Sequence, residues 1–122
     1  MRIIIAGSRT IAGRDGELAV LEAITEAMEA WGIQEVTEIV TGGARGADEL
    51  GKQFSERFGI AHKEFPADWD THGKKAGYLR NVEMADYADA LVLVWDGKSK
   101  GSKMMKDIAE RRWMPVVERV VG

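Results

Sequence analysis

The chain reads as an α/β protein built on a doubly wound parallel sheet. About five strands in the order 3-2-1-4-5 would carry about four helices, shared between both faces. Three observations predict this. Five short apolar runs alternate with longer amphipathic segments along the 122 residues. Two of the runs, Ile3-Ile4-Ile5 and Leu91-Val92-Leu93-Val94, are continuous, which suits strands covered on both faces. The strict βαβα alternation then requires parallel pairing with right-handed crossovers.

Each element has its own justification. Arg2–Ala6 is the first strand, and Asp15–Trp31 follows as a helix with Leu18, Leu21, Ile24, Met28 and Trp31 on one face. Glu35–Thr41 is the second strand. Ala47–Phe58 is the second helix, with Leu50, Phe54 and Phe58 inward and Gly59 as its C-cap. Ala61–Phe65 is the third strand. Pro66–Lys74 is the longest irregular stretch, and its Asp68, Trp69, Asp70 and His72 suit a binding loop. The third helix covers Lys75–Ala88, with Leu79, Val82 and Ala85 or Ala88 inward. Ala90–Trp95 is the fourth strand. Gly101–Arg112 is the fourth helix, with Met104, Met105 and Ile108 inward. Pro115 opens the last strand, Val116–Val120, at an edge where its missing N–H is tolerated. No repeat, low-complexity tract or linker interrupts the series, so residues 1–122 read as a single domain.

Composition removes several function classes. Hydrophobic content of 45% and charged content of 30% are those of a soluble globular protein. A net charge of -3 does not point to a general nucleic-acid binder, although it leaves room for a local basic patch. With no cysteine there are no disulfides, thiolate metal sites or thiol nucleophiles. His62 and His72 are not at metal-ligand spacing, so no metal is expected. No apolar run reaches the ~18 residues of a membrane span, and the first run lacks a signal peptide's length and cleavage site. The expected compartment is the cytoplasm.

The strand order locates the site. In open α/β sheets ligands bind at the carboxyl ends of the strands, where the order reverses. Three polar, glycine-bearing loops meet on that rim: Gly7-Ser8-Arg9-Thr10, Gly42-Gly43-Ala44-Arg45-Gly46, and Asp96-Gly97-Lys98-Ser99-Lys100-Gly101-Ser102. The second is the strongest signal. An apolar strand enters a glycine turn that opens directly into a helix, which is how an anion cradle is made. Arg45 adds a full charge, and Asp48 adds a carboxylate left free for a sugar hydroxyl, a water or a cation. Two familiar nucleotide motifs do not fit. Gly7 and Gly13 lack the G-x-G-x-x-G spacing. Gly97-Lys98-Ser99 mimics the end of a Walker A loop, but Val92 stands where that loop needs its first glycine. No cofactor is therefore expected. On the third helix, Arg80 and Asn81 either clamp a phosphate or form a solvated face. Trp69 and Trp95 are each core or a stacking platform, with partial exposure expected for Trp69.

Taken in order, these segments resemble a known family. Gly7-Ser8-Arg9, Gly43-Ala44-Arg45-Gly46-Ala47-Asp48, Phe65-Pro66-Ala67-Asp68-Trp69, Ala76-Gly77-x-x-Arg80-Asn81-x-x-Met84, Asp89-Ala90 and Trp95-Asp96-Gly97-x-Ser99-x-Gly101 are similar to the YspA-like, YpsA-related branch of the SLOG superfamily. That superfamily covers relatives of DNA-processing protein A and of the LOG phosphoribohydrolases. The resemblance implies a Rossmann-like fold and a nucleotide or nucleotide-derived ligand. It also suggests a homo-oligomer. Against the LOG segment R-K-x-x-M, Arg80-Asn81-x-x-Met84 has Asn81 for the lysine, and against P-G-G-x-G-T-x-x-E, Gly101-Ser102 stands for G-T but Met105 replaces the final glutamate.

The expected ligand contacts are Gly7, Ser8, Arg9, Gly42, Gly43, Arg45, Gly46, Asp48, Trp69, Arg80, Asn81, Asp96, Gly101 and Ser102. Glycine amides and the Ser102 hydroxyl would hold phosphate with Arg9, Arg45 and Arg80. Asp48 or Asp96 would accept from a ribose hydroxyl, and Trp69 would stack on the base. The alternative is a hydrolase of N-glycosidic or phosphate bonds, with Arg80 orienting phosphate and Asp48 or Asp96 activating water. A DNA-binding module is the second alternative.

Overall fold

The computed structural model describes residues 1–32 and 36–121. The strands β1 (Arg2–Gly7), β2 (Glu38–Thr41), β3 (Ala61–Glu64), β4 (Ala90–Trp95) and β5 (Val116–Val120) form one parallel sheet in the order β3-β2-β1-β4-β5. The helices are α1 (Gly13–Trp31), α2 (Ala47–Phe58), the single turn α3 (Trp69–His72), α4 (Ala76–Tyr87) and α5 (Lys100–Arg111). Glu35, expected to open the second strand, lies outside the described residues. The helices α1 and α2 cover one face of the sheet, and α4 and α5 cover the other. Expected order and fold class are both met.

The continuous apolar runs work because side chains alternate across a strand. Ile3, Ile5, Val92 and Val94 point to α1 and α2. Ile4, Leu91 and Leu93 point to α4 and α5. All seven are fully buried. Burying each such side chain contributes about 1.5–3 kcal/mol. Among the described residues, no helix is long and apolar enough to cross a membrane.

Helix faces differ from expectation in two places. On α1 the buried stripe is Ala19, Val20, Ala23, Ile24 and Ala27, while Leu18 and Leu21 are exposed. On α2, Leu50 is buried and Phe54 half-buried, but Phe58 is exposed. The reason is distance. A stripe of alanines lets α1 lie close to the sheet, and Gly51 does the same for α2, so the larger residues move to the flanks. On α4 the buried residues are Ala76, Asn81, Met84 and Ala85, with Leu79 and Val82 half-buried at the margin.

Within the stretch Pro66–Lys74 only Pro66–Asp68 is irregular. Asp68 accepts a hydrogen bond from the Thr71 amide at 3.1 Å and so caps α3, and a 3-10 turn at Gly73–Lys75 leads into α4. Asp68 therefore serves as a cap.

Gly51 generates a stability prediction. Alanine is favoured over glycine inside a helix by about 1 kcal/mol. Here a β-carbon would sit 2.7 Å from Ile5 Cβ, a branch point that cannot swing away. Gly51→Ala is expected to destabilise by about 1–3 kcal/mol despite its propensity. The reading is a lower urea midpoint at unchanged slope.

Candidate functional site

A cavity of about 340 Å³ opens at the carboxyl ends of β1 and β4. These are neighbouring strands whose following helices, α1 and α5, pack on opposite faces of the sheet, so the cavity occupies the switch point. Its floor is organised by Ser8, which is buried. The Ser8 amide donates to Val94 O at 3.2 Å, and its carbonyl accepts from the Ala47 amide at 3.2 Å. Its hydroxyl accepts from the Asp96 amide at 2.9 Å and lies 3.1 Å from Ser99 Oγ. One residue thus joins β1, the start of α2 and the loop after β4. The approach is too close for side chains. A β-carbon on Gly7 would lie 1.6 Å from Val94 O, and one on Gly46 would lie 2.2 Å from Ser8 O. Gly46 also holds a left-handed φ of 79°.

The loop after β4 folds on Asp96. Its Oδ1 accepts from the Lys98 and Ser99 amides at 2.8 and 2.9 Å, and these bonds hold the carboxyl below its usual pKa. The turn delivers Ser99 to the N-cap of α5, where Ser99 Oγ donates to Ser102 Oγ at 2.7 Å. Gly101 and Ser102 line the cavity from the first turn of α5. That end of the helix carries partial positive charge.

From α4, Arg80 reaches in. Its Nη1 donates to Gly42 O at 2.7 Å and its Nε to Asn81 Oδ1 at 2.9 Å. Burial lowers the Arg80 pKa, the Asp48 carboxyl opposes this, and the Arg9 charge adds to it. Asp48 is buried in the first turn of α2. It accepts from the Gly42 amide at 3.0 Å and the Ala44 amide at 3.4 Å. Burial pushes its pKa up to about 6, against the pull of those amides and of Arg80.

The structure gathers most of the sequence-selected residues. Gly7, Ser8, Arg9, Asp48, Arg80 and Asn81 line the cavity, as do Asp96, Gly101 and Ser102. Gly42, Gly43 and Trp69 line an adjoining depression that shares Arg9 and Arg80 with it. Trp69 is 55% exposed there. Arg45 is not brought in. It lines a neighbouring depression with Lys52 and Glu64, which shares Ala44 and Asp48 with the cavity. Gly46 packs beneath Ser8 and Arg9. The loop after β2 is also not an open cradle with a free acid: Asp48 itself engages the Gly42 and Ala44 amides. Trp95 is core, its indole N–H donating to Glu118 Oε2 at 2.7 Å. His62 is held by Thr41 Oγ1 at 2.7 Å. Sequence reasoning did not select Ser99 as a contact. Its signal was present, an aspartate three residues before a serine at a helix start.

An open parallel sheet, covered on both faces and cleft at its switch point, defines a Rossmann-like α/β protein. The chain belongs to the YspA, cpYpsA-related SLOG family, whose model matches residues 1–72. It is 33% identical over 122 residues to the "Gene 61 protein" of Mycobacterium phage D29, covering 95% of this chain and 94% of that protein. No solved structure matches the chain significantly. Residues Arg80, Asn81, Asp96, Gly101 and Ser102 lie beyond the segment matched by the family model.

Asp48 makes stability depend on pH. Its carboxyl titrates at about 6 when folded, against 3.8 as a free group. Between these values the native state holds more proton, so stability falls as pH rises through that window. In urea denaturation from pH 4 to pH 7, this group alone is expected to contribute a loss of about 2 kcal/mol, read as the difference between the wild type and Asp48→Asn. Asp48→Asn removes that component and flattens the curve.

Proposed function

We propose that the protein binds a nucleotide or nucleotide-derived ligand in the cavity between β1 and β4. One observation carries this reading: the first turn of α5 and the Arg80 guanidinium line the same 340 Å³ space from different elements. The cavity volume suits a small ligand. Phosphate would take the Ser102 and Ser99 hydroxyls and the α5 N-terminus, with Arg9 and Arg80 supplying full charge. Asp96 uses Oδ1 on its own loop, which leaves the other oxygen for a ribose hydroxyl. Trp69, beside the shared arginines, would stack on the base. The cysteine-free chain is read as cytoplasmic.

A second reading, hydrolysis of an N-glycosidic or phosphate bond, is favoured by Asp48. A buried carboxyl titrating at about 6 beside an arginine can exchange a proton near neutral pH. Met105, buried and lining the cavity, offers no acid where the LOG segment has one. Binding therefore has the broader support.

Calorimetry with 5′-AMP tests the binding site. Arg80→Ala is expected to weaken binding about tenfold or more, the loss of a charge-assisted contact. Arg45→Ala, outside the cavity, is expected to leave it unchanged. Equal effects of both would remove Arg80 from the site. For the second reading, a nucleoside-monophosphate panel is incubated with protein and assayed for free base and phosphate. Turnover abolished by Asp48→Asn would establish it, and no turnover alongside tight binding would end it.

A further inference from the structure

A second concave surface lies on the other side of the first turn of α5. It is a groove of about 290 Å³ between α4 and α5. Its charge is unlike the rest of the chain. Lys98, Lys100, Lys103 and Arg111 line it with a single carboxylate, Asp107, on a protein whose net charge is -3. Asp107 pairs with Lys103 at 3.2 Å, and among the described residues no ion pair is formed by Lys98, Lys100 or Arg111. Tyr78 adds an aromatic ring that is 46% exposed. From Lys100 to Arg111 the helix runs about 16 Å at 1.5 Å per residue. Cations around an exposed ring suit a phosphate followed by a base or other flat ring.

The groove and the cavity are adjacent. Ser99 and Gly101 line the cavity, whereas Lys98 and Lys100, interleaved with them, line the groove. Asn81 of the cavity and Met104 of the groove touch, Asn81 Nδ2 lying 3.9 Å from Met104 Sδ. A methionine is the most adaptable of apolar side chains, so this partition is soft.

We propose that the ligand of the cavity carries a second phosphate-bearing arm ending in a ring, which passes Met104 into the α4–α5 groove, where Lys100 and Arg111 pair with phosphate and Tyr78 stacks on the ring. This rests on the nucleotide reading above and narrows its substrate class from mononucleotides to dinucleotide-like ligands. A free dinucleotide and the end of an oligonucleotide share that chemistry.

Calorimetry with three probes tests it: 5′-AMP, diadenosine diphosphate and the 5′-phosphorylated dinucleotide pdApdA. At least one two-base probe is expected to bind tenfold or more tighter than 5′-AMP. A gain for diadenosine diphosphate points to a free dinucleotide, and a gain confined to pdApdA points to a nucleic-acid end. In a Tyr78→Ala, Arg111→Ala variant the gain is expected to vanish while 5′-AMP affinity is kept. Both residues are exposed, and an unchanged thermal unfolding curve confirms that the variant folds. Equal affinity for all three probes overturns the proposal and leaves the mononucleotide site standing. A gain that survives the double substitution also overturns it. No binding of any probe overturns both this proposal and the reading it rests on.

Discussion

Everything at the site depends on how closely three backbone segments approach one another at Ser8. Its amide, carbonyl and hydroxyl are each bonded to a different segment: the end of β4, the start of α2 and the loop that opens α5. No side chain could be added at Gly7 or Gly46 without driving those segments apart. The floor of the cavity is therefore rigid backbone, and the variable chemistry stands on its walls. That division fixes Asp48 and the α5 terminus relative to one another, because α2 and the loop before α5 both bond to Ser8, while Arg80 is tied in from α4 through Gly42 O.

Electrostatics follow from this geometry. Asp48 lies inside the α2 turn, where it satisfies amides that would otherwise face an anion. The loop that leads into α2 is thereby neutralised from within, while at the start of α5 the Ser99 and Ser102 hydroxyls bond to each other and no side chain caps the helix. Two similar strand–turn–helix units thus differ in what they can attract. The first turn of α5 keeps its partial positive charge, and Arg80 donates to Gly42 O beside the neutralised loop. A buried carboxyl and a half-buried guanidinium in one cavity keep the net charge low without a ligand, a sensible arrangement in a low-dielectric space.

Much of this was legible in the residues. Ala47–Phe58, Ala90–Trp95 and Val116–Val120 carry the boundaries that the sequence predicts, because glycine, proline and strand-length apolar runs mark them directly. The cavity's position followed from strand order alone. What was not legible depended on distances between elements. The period of α1 allows a leucine stripe or an alanine stripe to face inward, and only the depth of the α1–sheet contact selects Ala23 and Ala27 over Leu18 and Leu21. Similarly, Arg45 and Asp48 lie three residues apart in one motif, yet only Asp48 lines the cavity. Spacing carries no record of that difference. Asp68 looked like a loop acid because the one-turn helix it caps is too short to show a period.

The parallel order also governs when the site can exist. In β1 the central strand is made early, yet Arg2 bonds to Asp89, a partner 87 residues further on. At ordinary synthesis rates of 5–20 residues per second, roughly 5–20 s pass before β4 emerges. Until then one edge of Ile3-Ile4-Ile5 is an unpaired, strongly β-forming template. The emerging chain must keep its most apolar segment from other chains for that interval, and the Ser8 junction closes only after β4 has arrived. The cavity is thus a late acquisition in the life of each molecule, while aggregation risk is greatest at its start.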